Sequence, residues 1–409
     1  MIQKMQGQTM ELDVVGQFYA SIITRSQSCV FAISVHLKES VKPQILQQAV
    51  NDLMHRLPFL NVRLRRGFFH FKSEIMAKPP QIKPESEEPL FCDFFNRNSG
   101  HMIGVSYGER HFMVQTTHVV CDGRSLSKIA SSILVRYFEI LGEDVDKSHV
   151  VDCTESFQTE EAENAYERYV QHASIAAAEK TAPKIKAYRY KASKSAPQQA
   201  ITQVFDANKV KEAAKAYNAT ITEYILFQIF KAIKDEQKSK GDNRPITSLI
   251  PVDCRSFFPS KSMRSFVSGT TITMPNTDVV SQNMQQIRSQ LFEKINKDTV
   301  LKDISEIQNM YQSACYVPRI LKTLFMKMFA YSEAVYNTTG FSNVGLVKLP
   351  AEIENRVERM EFFISLEQDA PYFFSCITVG NALALTGTFR GEGRIVAETV
   401  MKNLESQLS

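Results

Sequence analysis

The stretch from Arg110 to Gly142, RHFMVQTTHVVCDGRSLSKIASSILVRYFEILG, most constrains what this chain can fold into. Phe112 to Thr117 is rich in β-branched residues and reads as a strand. From Ser125 to Leu141, Leu126, Ile129, Ile133, Leu134, Tyr137 and Leu141 fall on one helical stripe, and Gly142 is a natural stop. Between the two lies His118-Val119-Val120-Cys121-Asp122-Gly123. A chain that leaves a strand, turns through an Asp-Gly pair and enters a helix can hold an imidazole in one place.

The same parts recur on both sides of this stretch. Ser28–Leu37 alternates as a strand, Lys42–Arg56 has helical spacing, and Phe59–Leu64 with Phe68–Lys72 reads as a hairpin around Arg66-Gly67. Met102–Tyr107 and His111–Thr117 are two more strands joined at Gly108. Residues 11–24 read only as an entry to the first domain. Residues 143–200 are charged and rich in Ala and Lys, which suggests a helix and a linker. Beyond them come a strand at Ala200–Phe205, helices at Asn208–Tyr217 and Thr220–Lys234 (capped by Thr220 and Glu223), and strands at Pro245–Asp253 and Val267–Met274. Helices follow at Val280–Asn296, Asp303–Gln312 and Pro318–Tyr336. Strands are expected at Asn337–Leu349, Val357–Ser365, Tyr372–Val379 and Ala382–Arg390, then a last helix from Gly393 to Leu408. This alternation, with hairpins mixed in, predicts an α/β protein of two sandwiches with mixed sheets. At 409 residues the chain exceeds one ordinary core. The expected division is 1–180, a linker at 181–200, and 201–409.

Composition excludes several classes. A net charge of +4 without a dense basic block gives no case for nucleic acid. No apolar run approaches the ~18 residues of a spanning helix, and the N-terminal stretch lacks a signal core. The seven cysteines are odd in number and none are at CxxC spacing, which favours a reducing, cytoplasmic setting over disulfides or a zinc site. No metal ligand set is expected. All eight histidines precede residue 173, so any chemistry that needs one must draw it from the first half.

His118 has two readings: a buried histidine satisfied by a carbonyl, or a general base that takes a proton from a hydroxyl, amine or thiol. Gly104-Val105-Ser106-Tyr107-Gly108 spells G-x-S-x-G, but it falls on a strand that runs into a hairpin at Gly108, not on the strand-to-helix elbow a nucleophilic serine needs, and the chain has no H-E-x-x-H, no G-x-G-x-x-G and no P-loop. That leaves a histidine that activates the substrate's own nucleophile. Asp122 also has two roles open, orienting the imidazole or pinning the loop on an arginine. Its offset from His118 across a turn into a helix favours the second. Gly123 lets the chain turn closely, and Cys121 reads as a small buried residue. The bulky apolar face of Pro318–Tyr336 reads as core packing, or else as the wall of a lipophilic tunnel or a membrane-surface contact.

His118 to Gly123 matches H-x-x-x-D-G, and here the chain resembles the CoA-dependent acyltransferase superfamily, whose members include chloramphenicol acetyltransferase, the plant BAHD enzymes, the condensation domains of peptide synthetases and bacterial alcohol acetyltransferase-like proteins. Arg56-Leu57-Pro58-Phe59-Leu60-Asn61-Val62-Arg63, Pro251-Val252-Asp253-Cys254-Arg255 and Thr339-Gly340-Phe341-Ser342-Asn343-Val344-Gly345 resemble its other segments, in the same order across nearly the whole chain. The S-N-x-G segment is most similar to the alcohol acetyltransferase-like branch. Condensation domains carry a second His where this chain has Thr117. The plant DFGWG motif is absent, and there is no Trp.

The resemblance implies two chloramphenicol acetyltransferase-like domains with an inter-domain tunnel, His118 as base, and Asp122 paired with an arginine, here Arg255. It implies that a segment near 337–350 crosses over, with Ser342 or Asn343 near His118 as oxyanion donor; turn chemistry is the other reading of those two residues. No bound cofactor is expected. The co-substrate is acyl-CoA or an acyl-carrier thioester, the partners are a small-molecule donor and acceptor (lipid-like ones included) with an acyl carrier protein admissible, and the state is a monomer. Two alternatives stay open: a condensation-like enzyme on carrier-bound substrates, and a non-catalytic binding protein on the same fold.

Overall fold

The computed structural model describes residues 7–24, 27–91, 100–170, 185–190, 196–275, 279–366 and 370–408. The strands are β1 (Thr9–Glu11), β2 (Val30–Leu37), β3 (Val62–Arg66), β4 (Phe71–Ile75), β5 (Lys83–Pro84), β6 (Ile103–Tyr107), β7 (His111–Thr117), β8 (Gln198–Asp206), β9 (Thr247–Asp253), β10 (Val267–Thr273), β11 (Thr339–Val347), β12 (Val357–Ile364), β13 (Tyr372–Val379) and β14 (Ala382–Arg390). The helices are α1 (Val14–Ile22), α2 (Pro43–Arg56), α3 (Gly123–Ile140), α4 (Ala165–Val170), α5 (Ala207–Lys215), α6 (Ile221–Lys240), α7 (Val280–Lys294), α8 (Lys297–Ser313), α9 (Arg319–Ala334), α10 (Ala351–Glu354) and α11 (Gly393–Leu408). The expected linker at 181–200 lies partly outside the described residues.

Two mixed sheets carry the architecture. The first has strand order β12-β2-β7-β6-β5 and the second β10-β9-β11-β13-β14-β8, with β1-β4-β3 as a small third sheet. Strand β2 is almost wholly buried, its apolar side chains broken only by Ser34 and the half-buried His36. Helices α2 and α3 cover one face of the first sheet and seal its core through Leu46, Leu53, Leu126, Ile129, Ile133 and Phe138. Truncating one such fully buried leucine to alanine costs about 2–5 kcal/mol. Helix α6 starts on the Thr220–Glu223 capping box and ends at Gly241, whose φ of 65° suits glycine. Together with α11 it covers the second sheet.

One strand of the second half, β12, joins the first sheet. β12 pairs antiparallel with β2, setting Phe362 opposite Ile33 and Ile364 opposite Phe31. β11 stays in the second sheet, parallel to both β9 and β13. Sequence alone could not separate the two, because both read simply as strands of the second half. Only long-range pairing decides which sheet takes each. Residues 11–24 hold a helix, α1, capped by Asp13, which accepts from Gly16 N at 2.7 Å.

Candidate active site

Strand β7 ends at Thr117, and the chain folds back at once. The Thr117 carbonyl accepts from Val120 N at 2.9 Å, and its hydroxyl accepts from Val119 N at 3.2 Å. His118 is therefore the first residue past the strand, fixed by a turn on one side and the start of α3 on the other. Tyr19 of α1 stacks on its ring with centroids 4.6 Å apart, and Phe31 of β2 lies tilted at 4.7 Å. Ser265 donates its hydroxyl to the His118 carbonyl at 3.0 Å, and the same oxygen lies 3.4 Å from Nδ1. In that arrangement Ser265 can accept from Nδ1–H, the tautomer that leaves Nε2 as the basic nitrogen. Burial against apolar walls lowers the His118 pKa to about 4, with the charge on Asp122 opposing that shift. The imidazole is therefore neutral at neutral pH.

Asp122 turns away from the ring. One carboxylate oxygen caps α3 by accepting from Ser125 N at 2.8 Å. The other accepts from Arg255 Nη1 at 2.7 Å and from Phe266 N at 3.0 Å. Burial alone would raise its pKa, but Arg255 and the two amides outweigh that and hold the carboxyl below its ordinary range. Arg255 spends its remaining donors on Asp253 Oδ1 at 3.1 Å and on the carbonyls of Ser262 and Arg264 at 2.9 and 2.6 Å. The pair thus ties the start of α3 to the segment between β9 and β10.

Gly123 does not sit at a positive φ. What it allows is approach: a Cβ there would lie 3.1 Å from Cζ of Phe362 on β12. The reason for glycine is the crossing strand, not the turn. Burial raises the Cys121 thiol well above its ordinary pKa, so it is no nucleophile.

A cavity of about 410 Å³ lies between the two sheets, with His118, Tyr19 and Phe31 on one side and Ser342, Asn343 and Thr339 on the other. Ser342 has no hydrogen-bond partner for its hydroxyl among the described residues. Asn343 is more committed: its amide donates to Thr222 at 2.9 Å and its carbonyl oxygen accepts from Gly345 N at 2.8 Å. Those bonds close a bulge in β11, with Gly345 at φ 85°. A second, more open crevice of about 940 Å³ shares Arg124 and Val344 with the first and is edged by Lys128, Lys261 and Lys348. Among the described residues, no group of His, Cys, Asp and Glu is arranged to hold a metal ion.

Tyr19, Phe31, Ser265 and Phe362 shape the His118 environment and were not legible in the sequence. No local spacing marks them; three come from other strands or loops, and Tyr19 from a helix read only as an entry segment.

No family model matches the chain, and no curated protein matches it in sequence. Solved structures do match. Polyketide synthase associated protein 5 from Mycobacterium tuberculosis superposes with a TM-score of 0.65 at 13% identity, over 98% of this chain and 97% of that one. The epimerization domain from the third module of tyrocidine synthetase B gives 0.61 at 11% identity, over 99% and 97%. The wax ester synthase/diacylglycerol acyltransferase from Marinobacter aquaeolei VT8 gives 0.56 at 12% identity, over 98% and 98%.

The fold is the one these solved structures share, a two-domain mixed α/β architecture. The likeness spans essentially the full length of all three neighbours, so both sheets belong to one shared architecture. At these identities it establishes the fold alone.

Proposed function

We propose that the protein is an acyltransferase that moves an acyl group from an acyl thioester to a hydroxyl or amine acceptor, with His118 as general base. The observation that carries this is a neutral imidazole, aligned by Ser265, in a cavity lined from both sheets. His118 accepts the proton of the acceptor O–H or N–H as that atom attacks the thioester carbonyl. The tetrahedral intermediate carries its charge on oxygen, and the Ser342 hydroxyl is the donor assigned to it. Collapse breaks the C–S bond, and the leaving thiolate takes the proton back from His118. Asp122 and Arg255 brace the loop and do not touch the reacting atoms.

Acyl transfer by solved neighbours of this fold, the wax ester synthase/diacylglycerol acyltransferase among them, supports the reaction class. The cationic crevice beside the cavity suits an anionic donor such as a nucleotide-bearing thioester. The described cysteines are free, in keeping with a reducing, cytoplasmic setting. Thiol release measured over a panel of acyl-CoAs, with alcohol and amine acceptors, tests the reading. Saturable turnover with free acyl-CoA supports it, whereas turnover only on carrier-bound thioesters assigns the chain to condensation-like chemistry instead.

A further inference from the structure

Helix α9 is neither core nor cavity wall along most of its length. Its buried stripe is Lys322, Met326 and Ala330, spaced four residues apart: Met326 and Ala330 rest on α1, and Lys322 reaches His70 Nδ1 at 3.1 Å. The rest of its apolar surface points outward: Ile320 is 71% exposed, Leu324 59%, Phe325 53% and Met328 64%. The β3–β4 hairpin extends this surface. Arg319 N and Nε donate to the carbonyls of Phe68 and Gly67, both at 2.9 Å, and Phe68 at the hairpin tip is 73% exposed. A continuous apolar face of this size on a folded chain marks an interaction surface. Sixteen residues of helix make it about 24 Å long.

Charge selects the occupant. Between Glu306 and Glu333 the chain has no carboxylate, and the face carries the half-buried Arg319 and the exposed Lys327, while Lys322 is buried beneath it. The hairpin adds the exposed Arg66. A second copy meeting this face about a two-fold axis would set cations against the same cations. An apolar stripe with basic residues and aromatic rings, whose one acid, Glu333, is half-buried in the last turn, is instead the composition of a helix lying in a bilayer interface. The face also leads to the site, because Ala334 at the end of α9 and Asn337 just beyond it line the His118 cavity.

We infer that α9 and the hairpin tip form a docking surface for a lipid bilayer bearing anionic headgroups. Docking brings the cavity end at Ala334 and Asn337 to the acyl layer, so that an apolar chain can enter from the membrane. That last step, unlike the docking, rests on the acyl-transfer reading.

The test is flotation of the full chain with vesicles of phosphatidylcholine alone and of an equimolar mixture of phosphatidylcholine and phosphatidylglycerol. The wild type floats with the mixed vesicles and more weakly with phosphatidylcholine. Leu324→Glu/Phe325→Glu weakens that binding on the order of a hundredfold, since two large side chains no longer bury, and leaves thiol release with a short-chain soluble donor unchanged. Lys327→Glu weakens binding to the mixed vesicles by roughly tenfold and changes binding to phosphatidylcholine little. A wild type that floats with neither vesicle, or variants that float as it does, overturns the inference. A dimer in gel filtration that Leu324→Glu/Phe325→Glu dissociates, without flotation, overturns it in favour of a second copy. Intact flotation with no thiol release from any donor leaves the docking surface standing and removes the acyl-transfer reading.

Discussion

Replacing Arg255 with alanine should destabilise the protein by about 3 kcal/mol, the lower end of the range for removing one partner of a buried ion pair. The structure sets that value. Asp122 is fully buried and loses its 2.7 Å partner, but it keeps the amides of Ser125 and Phe266. A carboxylate with two amides is better off than one with none, which argues against the top of the range. The variant also orphans the carbonyls of Ser262 and Arg264, both of which Arg255 satisfies. Adding Asp122→Asn should then restore part of the loss, because it removes the uncompensated charge while keeping an acceptor for the cap. Thermal unfolding of the two single variants, the double variant and the wild type closes the cycle. The pH dependence has a definite sign. The folded-state pKa of Asp122 lies below its unfolded value of 3.8, so the pair stabilises fully above that value and the contribution disappears as pH falls through the folded pKa. In Arg255→Ala the buried carboxyl takes up a proton at higher pH, so the gap between variant and wild type shrinks in acid. An Arg255→Ala protein as stable as the wild type, or a double variant no more stable than Arg255→Ala, would refute the brace.

Three further outcomes follow from the site. Because burial holds His118 at about 4, kcat/KM should stay flat from neutral pH down to about pH 5 and fall only below that; Tyr19→Ala, which opens the stacked face to water, should move the acid limb upward toward the ordinary histidine value of 6.5. Between pH 6.5 and about 4 the unfolded chain binds a proton that folded His118 refuses, so acid lowers stability across that window, and His118→Ala should lack this part of the slope in pH-dependent melting. Ser342→Ala should lower kcat on the order of a hundredfold with little change in melting temperature, whereas Asn343→Ala should lower the melting temperature first, since its amide ties Thr222 and Gly345 across the bulge.

Local signals carried a large part of the fold. The strand before His118, the helix after it and the Thr220–Glu223 box are each written in a few adjacent residues, and the structure has all three. What was not legible depends on residues far apart in the chain. Strand β12 pairs with β2, more than three hundred residues away, and nothing local in VERMEFFI marks which sheet will take it. Gly123 looked like turn chemistry because the partner that demands it, Phe362, lies more than two hundred residues away. The position of His118 was readable from its motif, but its pKa was not. That value comes from Tyr19 and Phe31, which three-dimensional packing alone brings to the ring. Helix α9 was ambiguous for a related reason: an apolar helix reads the same whether its face is covered or open.

The most direct test of the central claim is thiol release by His118→Ala, measured with the donor and acceptor that give the wild type its highest turnover. The expected result is a folded protein whose turnover is reduced by a factor on the order of 10² to 10⁴, the contribution of a positioned base, with melting temperature at neutral pH nearly unchanged. Turnover equal to the wild type in a folded His118→Ala protein would contradict it.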